Sequence, residues 1–241
     1  MVRVHSIETL GAHEGPGIRL VVFLQGCLFR CLYCHNPDSW NLTAGRQMTD
    51  DEIIHLAERE RPYFRGKGGV TVSGGEPLLQ RRDLIPLFTR LKQVGIHTAL
   101  DTNGSVLDDD AKQLLDLTDL VLLDVKHINP ELHLKLTGKS NDVTLEFAKY
   151  RNQTGKPMWL RYVLVPGYTD QPEYLHEWGK RFAGYRSVER VEILPYHTLG
   201  VYKYEQMGIP YKLTDVAPPS PEVIQRTRDI FTNYFERVLM R

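Results

Sequence analysis

Cysteine is scarce in this chain: Cys27, Cys31 and Cys34 are the whole supply in 241 residues. An odd count confined to one short run is no disulfide framework. It also falls short of the four protein ligands taken by a closed structural zinc site or an ordinary iron–sulfur cluster. Long apolar runs are missing too, and no apolar secretory stretch follows Met1-Val2-Arg3. These absences predict a reduced, soluble, cytoplasmic protein. Net charge is also lacking: Lys+Arg 30 balances Asp+Glu 30, which removes the electrostatic case for binding a nucleic-acid backbone or an anionic membrane. A hydrophobic content of 41% with no low-complexity segment excludes disorder as the organising theme.

Short apolar runs alternate with longer amphipathic ones, the pattern of repeated βα units, so the expected class is α/β with a parallel sheet. Strands are expected near Arg19–Leu24, Gly69–Val72, His97–Leu100, Leu120–Leu123, Met158–Val163 and Arg190–Leu194. Six are fewer than a closed barrel needs, which predicts an incomplete (β/α)6 barrel. A single domain over 1–241 with short terminal extensions is expected. Thr49 with Glu52 reads as a capping box, and Ser220-Pro221 as an N-cap with a first-turn proline. Leu84, Leu87, Phe88 and Leu91 recur at helical spacing before a stop at Gly95. The tract from Thr198 to Pro219, rich in Tyr, Gly and Pro, is expected to be a long loop.

The cysteines lie in Gln25-Gly26-Cys27-Leu28-Phe29-Arg30-Cys31-Leu32-Tyr33-Cys34-His35-Asn36. Three thiolates on a cuboidal four-iron cluster leave one iron without a protein ligand, and an open iron can bind substrate. The alternative is a zinc site completed by His35, although structural zinc usually draws on two separated ligand pairs. In parallel βα folds, reactive groups gather at the carboxyl ends of the strands. Five polar motifs fall there: the cysteine loop, Ser73-Gly74-Gly75-Glu76-Pro77, Asp101-Thr102-Asn103-Gly104, Asp124-Val125-Lys126 and Pro195-Tyr196-His197. Gly74-Gly75 would let backbone approach a ligand's amino group, with Glu76 accepting from donors; a plain turn is the alternative. Lys126 can pair with a ligand carboxylate or be a solvated strand-end lysine. His55, His133 and His176 are read as surface residues.

The three-then-two cysteine spacing resembles the signature of the radical S-adenosylmethionine (SAM) enzymes. The flanks Glu14-Gly15-Pro16-Gly17-Ile18-Arg19 and Cys34-His35-Asn36-Pro37-Asp38 resemble the glycyl-radical-enzyme activases, in particular those of pyruvate formate-lyase. The likeness continues through the GGE, DTNG and DVK segments, Thr144–Tyr150, Arg161-Tyr162-Val163 and Leu194–His197. This resemblance implies one 4Fe-4S cluster on Cys27, Cys31 and Cys34. It implies SAM held by Tyr33, Cys34, His35, Gly74, Gly75, Glu76, Asp124, Val125, Lys126 and His197, with the Tyr33–His35 segment at the adenine. Asp101, Thr102 and Asp124 correspond to a monovalent-cation site for Na+ or K+. Two neighbouring strand-end carboxylates want a cation or basic group between them, although either Asp can equally cap a turn. Arg161 corresponds to a residue that meets the protein substrate's backbone; an ion pair is the other reading. The implied activity is reductive SAM cleavage followed by hydrogen abstraction from a glycine Cα of pyruvate formate-lyase, with flavodoxin or ferredoxin as electron donor. A different glycyl-radical protein, a small-molecule substrate or a zinc-binding module are the rivals.

Overall fold

Parallel strands covered on both faces read as unbroken apolar runs, and the runs singled out above all become strands, most of them a residue or two longer than expected. The computed structural model describes residues 1–241. The chain gathers into two compact units, one of Met1–Leu28 with Ser39–Leu122, the other of Phe29–Asp38 with Leu123–Arg241.

The first unit contains β1 (Val2–Gly11), β2 (Arg19–Leu24), β3 (Arg46–Met48), α1 (Asp50–Phe64), β4 (Gly69–Gly74), α2 (Arg81–Gln93), β5 (His97–Thr102) and α3 (Asp109–Leu117). It ends in β6 (Leu120–Asp124), whose last residues open the second unit. Within the first unit the strands run β3-β1-β2-β4-β5-β6. β2, β4 and β5 pair in parallel, with Arg19 opposite Gly69 and Gly69 opposite His97. Every residue of β2 except Phe23 is buried. The register begins at Arg19, a fully buried cation that donates to the Thr71 hydroxyl at 2.9 Å and the Val70 carbonyl at 2.6 Å. Burial pulls its pKa down to about 9 against the opposing pull of Asp119.

α1 starts with the expected reciprocal cap. The Glu52 amide donates to Thr49 Oγ1 at 3.2 Å, and the Thr49 amide donates to the Glu52 carboxylate at 2.7 Å. α2 buries Leu84, Leu87, Phe88 and Leu91 and is followed by Gly95 at φ 69°. β1 and β3 were not expected. Both lie antiparallel at the edge, and β1 buries only Val2, Val4 and Gly11, too few to leave an apolar run.

The second unit continues with α4 (Pro130–Thr137), α5 (Asp142–Gln153), β7 (Met158–Leu164), α6 (Pro172–Phe182), β8 (Val188–Pro195), α7 (Val201–Gln206), α8 (Pro221–Thr232) and β9 (Val238–Met240). Its strand order is β6-β7-β8-β9, with β7, β8 and β9 parallel. Tyr162 of β7 meets Trp178 of α6 and Phe231 of α8 edge-on, at centroid distances of 5.5 and 5.3 Å. Side chains alternate along a strand, so Arg161 lies on the sheet face away from those helices. α8 takes Ser220 as its N-cap and Pro221 in its first turn, as expected.

Two expectations are corrected. The tract after Thr198 is not all loop, because α7 forms inside it. His133 is fully buried in α4, donates through Nδ1 to the Lys139 carbonyl at 2.7 Å, and meets the Phe29 ring edge-on at 5.7 Å. No helix is long and apolar enough to cross a membrane.

Candidate active site

Each unit carries its own share of the expected residues. In the first, the chain leaves β2 through Gly26, whose φ of 100° suits a residue without Cβ, and reaches Cys27, whose amide donates to the Trp40 carbonyl at 3.4 Å. The turn after β4 is tied to that same point. The Gly75 amide donates to the Leu24 carbonyl at 2.8 Å and the Glu76 amide to the Gly26 carbonyl at 2.7 Å. A Cβ on Gly74 would collide with the Leu24 backbone and one on Gly75 with the Gly26 backbone. The protein's own packing therefore already requires both glycines.

Glu76 is the hub of this half. Its carboxylate, buried at 1% exposure, accepts from the Leu78 amide at 2.9 Å, the Thr102 hydroxyl at 2.6 Å and the Asn103 amide at 2.8 Å. Burial raises its pKa to about 7, against the lowering effect of those three donors. The Thr102 hydroxyl, expected as a cation ligand, thus donates to Glu76 while accepting from the Gly104 amide at 3.0 Å. Asp101 at the end of β5 accepts from the Ser73 hydroxyl at 2.7 Å.

The second unit brings together Cys31, Tyr33, Cys34, His35, Asp124, Lys126 and His197. Lys126 Nζ pairs with Asp124 Oδ2 at 2.7 Å and sits 5.8 Å from the Tyr33 ring centroid, with its side chain 11% exposed. It is therefore no solvated strand-end lysine. Burial pulls its pKa down, but Asp124, Tyr33 and Cys31 together outweigh that and hold it well above the ordinary value. The Val125 amide donates to the Arg161 carbonyl at 3.3 Å, joining the end of β6 to β7. Tyr33, buried at 5% exposure, shares an apolar cluster with Leu136, Val165, Tyr196 and Leu213, and Cys31 packs against it. His35 stacks on His197 with centroids 4.0 Å apart and donates through Nε2 to the His197 carbonyl at 3.1 Å, which fixes its tautomer. Burial first, and then His197, lower the His35 pKa to about 4, so the ring is neutral at pH 7.

Arg161 donates through Nε to Glu192 Oε2 at 3.0 Å. Glu192, with no exposed surface, also meets Arg190 at 2.7 Å and Arg241 at 3.2 Å. The ion-pair reading of Arg161 is thus realised. Sequence patterns missed Glu192, Tyr204 and Lys203: Tyr204 and Lys203 meet residues more than 160 positions away, and Glu192 draws Arg161 and Arg241 from other strands or the chain end.

The donor chemistry fits an iron–sulfur cofactor and its ligand. Three thiols stand in one loop, and a cuboidal cluster spreads them over three irons rather than one point. The buried Oη of Tyr33 and Oδ1 of Asp124 lack protein hydrogen-bond partners, polar atoms that a bound ligand or cation would satisfy.

The Radical SAM superfamily model matches residues 21–178. Streptococcus suis SuiB bound to its precursor peptide SuiA shares the fold, with a TM-score of 0.68 at 19% identity over 92% of this chain and 48% of that one. A domain of pyruvate-formate lyase-activating enzyme from Bacteroides vulgatus superposes with a TM-score of 0.61 at 26% identity, covering 72% of this chain and 99% of that one. The pyruvate formate-lyase-activating enzyme of Listeria monocytogenes is 46% identical over 92% of both chains. Within the radical SAM superfamily, this chain belongs to the pyruvate formate-lyase-activating enzymes.

Proposed function

We propose that this chain activates pyruvate formate-lyase under anaerobic conditions by installing a glycyl radical. The observation that carries the reading is 46% identity over 92% of an activating enzyme of that name, in a chain whose cysteines all lie in one loop. The chemistry the cofactors supply when bound is one-electron cleavage of SAM to methionine and a 5′-deoxyadenosyl radical, which takes a hydrogen atom from the glycine Cα.

The chain's own residues hold and orient. Cys27, Cys31 and Cys34 are assigned to the 4Fe-4S cluster. Lys126, charged and largely buried, has donors beyond its Asp124 bond for the SAM carboxylate. The backbone of Gly74-Gly75 with Glu76 is assigned to the amino group, the Tyr33–His35 segment to the adenine, and His197 to the border of SAM at the last of the expected strands. We assign a monovalent cation to Asp101, Thr102 and Asp124; the unsatisfied Oδ1 of Asp124 supports this. Arg161, anchored by Glu192, is assigned to the substrate backbone. The electron comes from flavodoxin or ferredoxin, and the cytoplasm is the proposed location.

The test is anaerobic incubation of reduced protein, SAM and pyruvate formate-lyase. The expected result is a glycyl-radical resonance on the lyase with 5′-deoxyadenosine and methionine in stoichiometric yield. SAM cleavage without a protein radical would overturn the substrate and leave the radical SAM class standing.

A further inference from the structure

α7 is only six residues long, yet it and the turn before it make a dense set of contacts to one stretch, Cys34–Asp38. Tyr204, 4% exposed, donates its hydroxyl to the Cys34 carbonyl at 3.0 Å. Lys203 Nζ donates to Asn36 Oδ1 at 2.8 Å and to Asp38 Oδ1 at 3.1 Å. A Cβ on Gly200 would come within 2.7 Å of the His35 Cα, so the turn rests directly on that backbone. Tyr211 braces the Tyr204 ring edge-on at 4.9 Å and shares a 2.8 Å hydrogen bond with the Tyr196 hydroxyl just past β8. The stretch so held carries the last cysteine and His35, while Cys34 and the residues after it belong to no strand or α-helix of their own.

We propose that α7 is a latch on the limb of the cysteine loop that carries Cys34, with Lys203 and Tyr204 as positioning residues for the cluster and for SAM. Neither side chain touches a reacting atom. Lys203 and Tyr204 grip successive points of the limb, and a small displacement of a positioned group is costly to catalysis. The latch rests on the radical SAM reading above.

The test compares Tyr204→Phe, Lys203→Met and their double variant with the parent, using Lys203→Arg as the conservative rescue. Three quantities are read. They are amide exchange over Cys34–Asp38, the SAM dissociation constant from the SAM-induced change in the reduced cluster's paramagnetic resonance, and the thermal midpoint. Loss of one such hydrogen bond should weaken SAM binding roughly three- to tenfold, more in the double variant. Faster exchange confined to Cys34–Asp38 and partial recovery in Lys203→Arg should accompany it. Unchanged affinity and spectrum in the double variant overturn the latch. So does a loss that merely tracks the thermal midpoint, which would mark α7 as scaffold alone. Parent protein that takes up no cluster overturns the radical SAM reading, and the latch falls with it; parent protein that does, with variants indistinguishable from it, overturns the latch only.

Discussion

Arg161 on β7 and Glu192 on β8 stand opposite each other in register and are joined Nε to Oε2 at 3.0 Å. The carboxylate has no exposed surface and serves three arginines, 161, 190 and 241, at once. The two partners are therefore unequal. Arg161→Ala leaves Glu192 two cations, whereas Glu192→Gln removes the one carboxylate that all three arginines share. Breaking a buried pair typically costs about 3–5 kcal/mol. The glutamine variant should reach that range and the alanine variant fall below it, as read by urea unfolding. The reverse order would mean that Arg161, not Glu192, anchors the network. If Arg161 also orients the peptide, Arg161→Ala should slow radical transfer to the lyase more than it slows uncoupled SAM cleavage.

What was legible in the sequence follows from where burial is local. β2 and β4 stood out because both faces of a parallel strand are covered, and the α1 cap because Thr49 and Glu52 are three residues apart. β1 did not, since an antiparallel strand with only Val2, Val4 and Gly11 buried has neither an apolar run nor clean alternation. His133 looked like a surface histidine because what covers it, Phe29, comes from the cysteine loop a hundred residues earlier. Gly74-Gly75 reads as room for backbone to approach a ligand's amino group, with a plain turn as the alternative. The pattern did not reveal that neighbouring backbone at Leu24 and Gly26 fills that space.

Cys31→Ala should abolish both the brown chromophore and SAM cleavage. In the proposed assignment each thiolate would hold a different iron, and the chain has no fourth cysteine to substitute. Iron and sulfide analysis of the anaerobically reconstituted variant checks this; full activity would remove the cluster assignment.

Stability should rise between pH 5 and pH 6. His35 and His127 are each held by burial at about 4, below the ordinary 6.5, so the unfolded chain binds protons that the native one refuses. Their contribution is present above about 6.5 and lost as pH falls towards 4. Glu76 works the other way: with its pKa raised from 4.5 to about 7, its contribution is full below 4.5 and declines as pH rises through that window. His35 and His127 outnumber Glu76, and burial lowers the pKa of His133 in the same direction, so the net slope is positive across this window. Glu76→Gln should lower stability overall, because an amide cannot accept from all three donors, and steepen the slope. Thermal midpoints across the pH range would show this; an unchanged slope would mean that Glu76 is ionised throughout.

Asp124 offers its two oxygens to different tasks. Oδ2 holds Lys126 Nζ at 2.7 Å, and Oδ1 is buried with no protein hydrogen bond. A buried carboxylate oxygen left unsatisfied is costly, and a monovalent cation is a partner that would remove the cost without displacing Lys126. Asp124→Asn keeps the shape and one oxygen but loses the charge that steadies Lys126, and Asp124→Ala loses both. SAM affinity should therefore fall in the order parent, Asn, Ala. A drop of roughly ten- to hundredfold is expected for Ala if a charge-assisted contact worth about 1.5–3 kcal/mol goes with it. The cation is separable from the lysine by exchange: parent activity should differ between sodium and potassium buffers, and Asp124→Ala should be indifferent to the choice. Isothermal titration of SAM reads the affinities, and SAM-cleavage rates in sodium and potassium buffers read the cation effect. A parent enzyme equally active in either cation, with the affinity loss confined to the variants, would assign Asp124 to Lys126 alone.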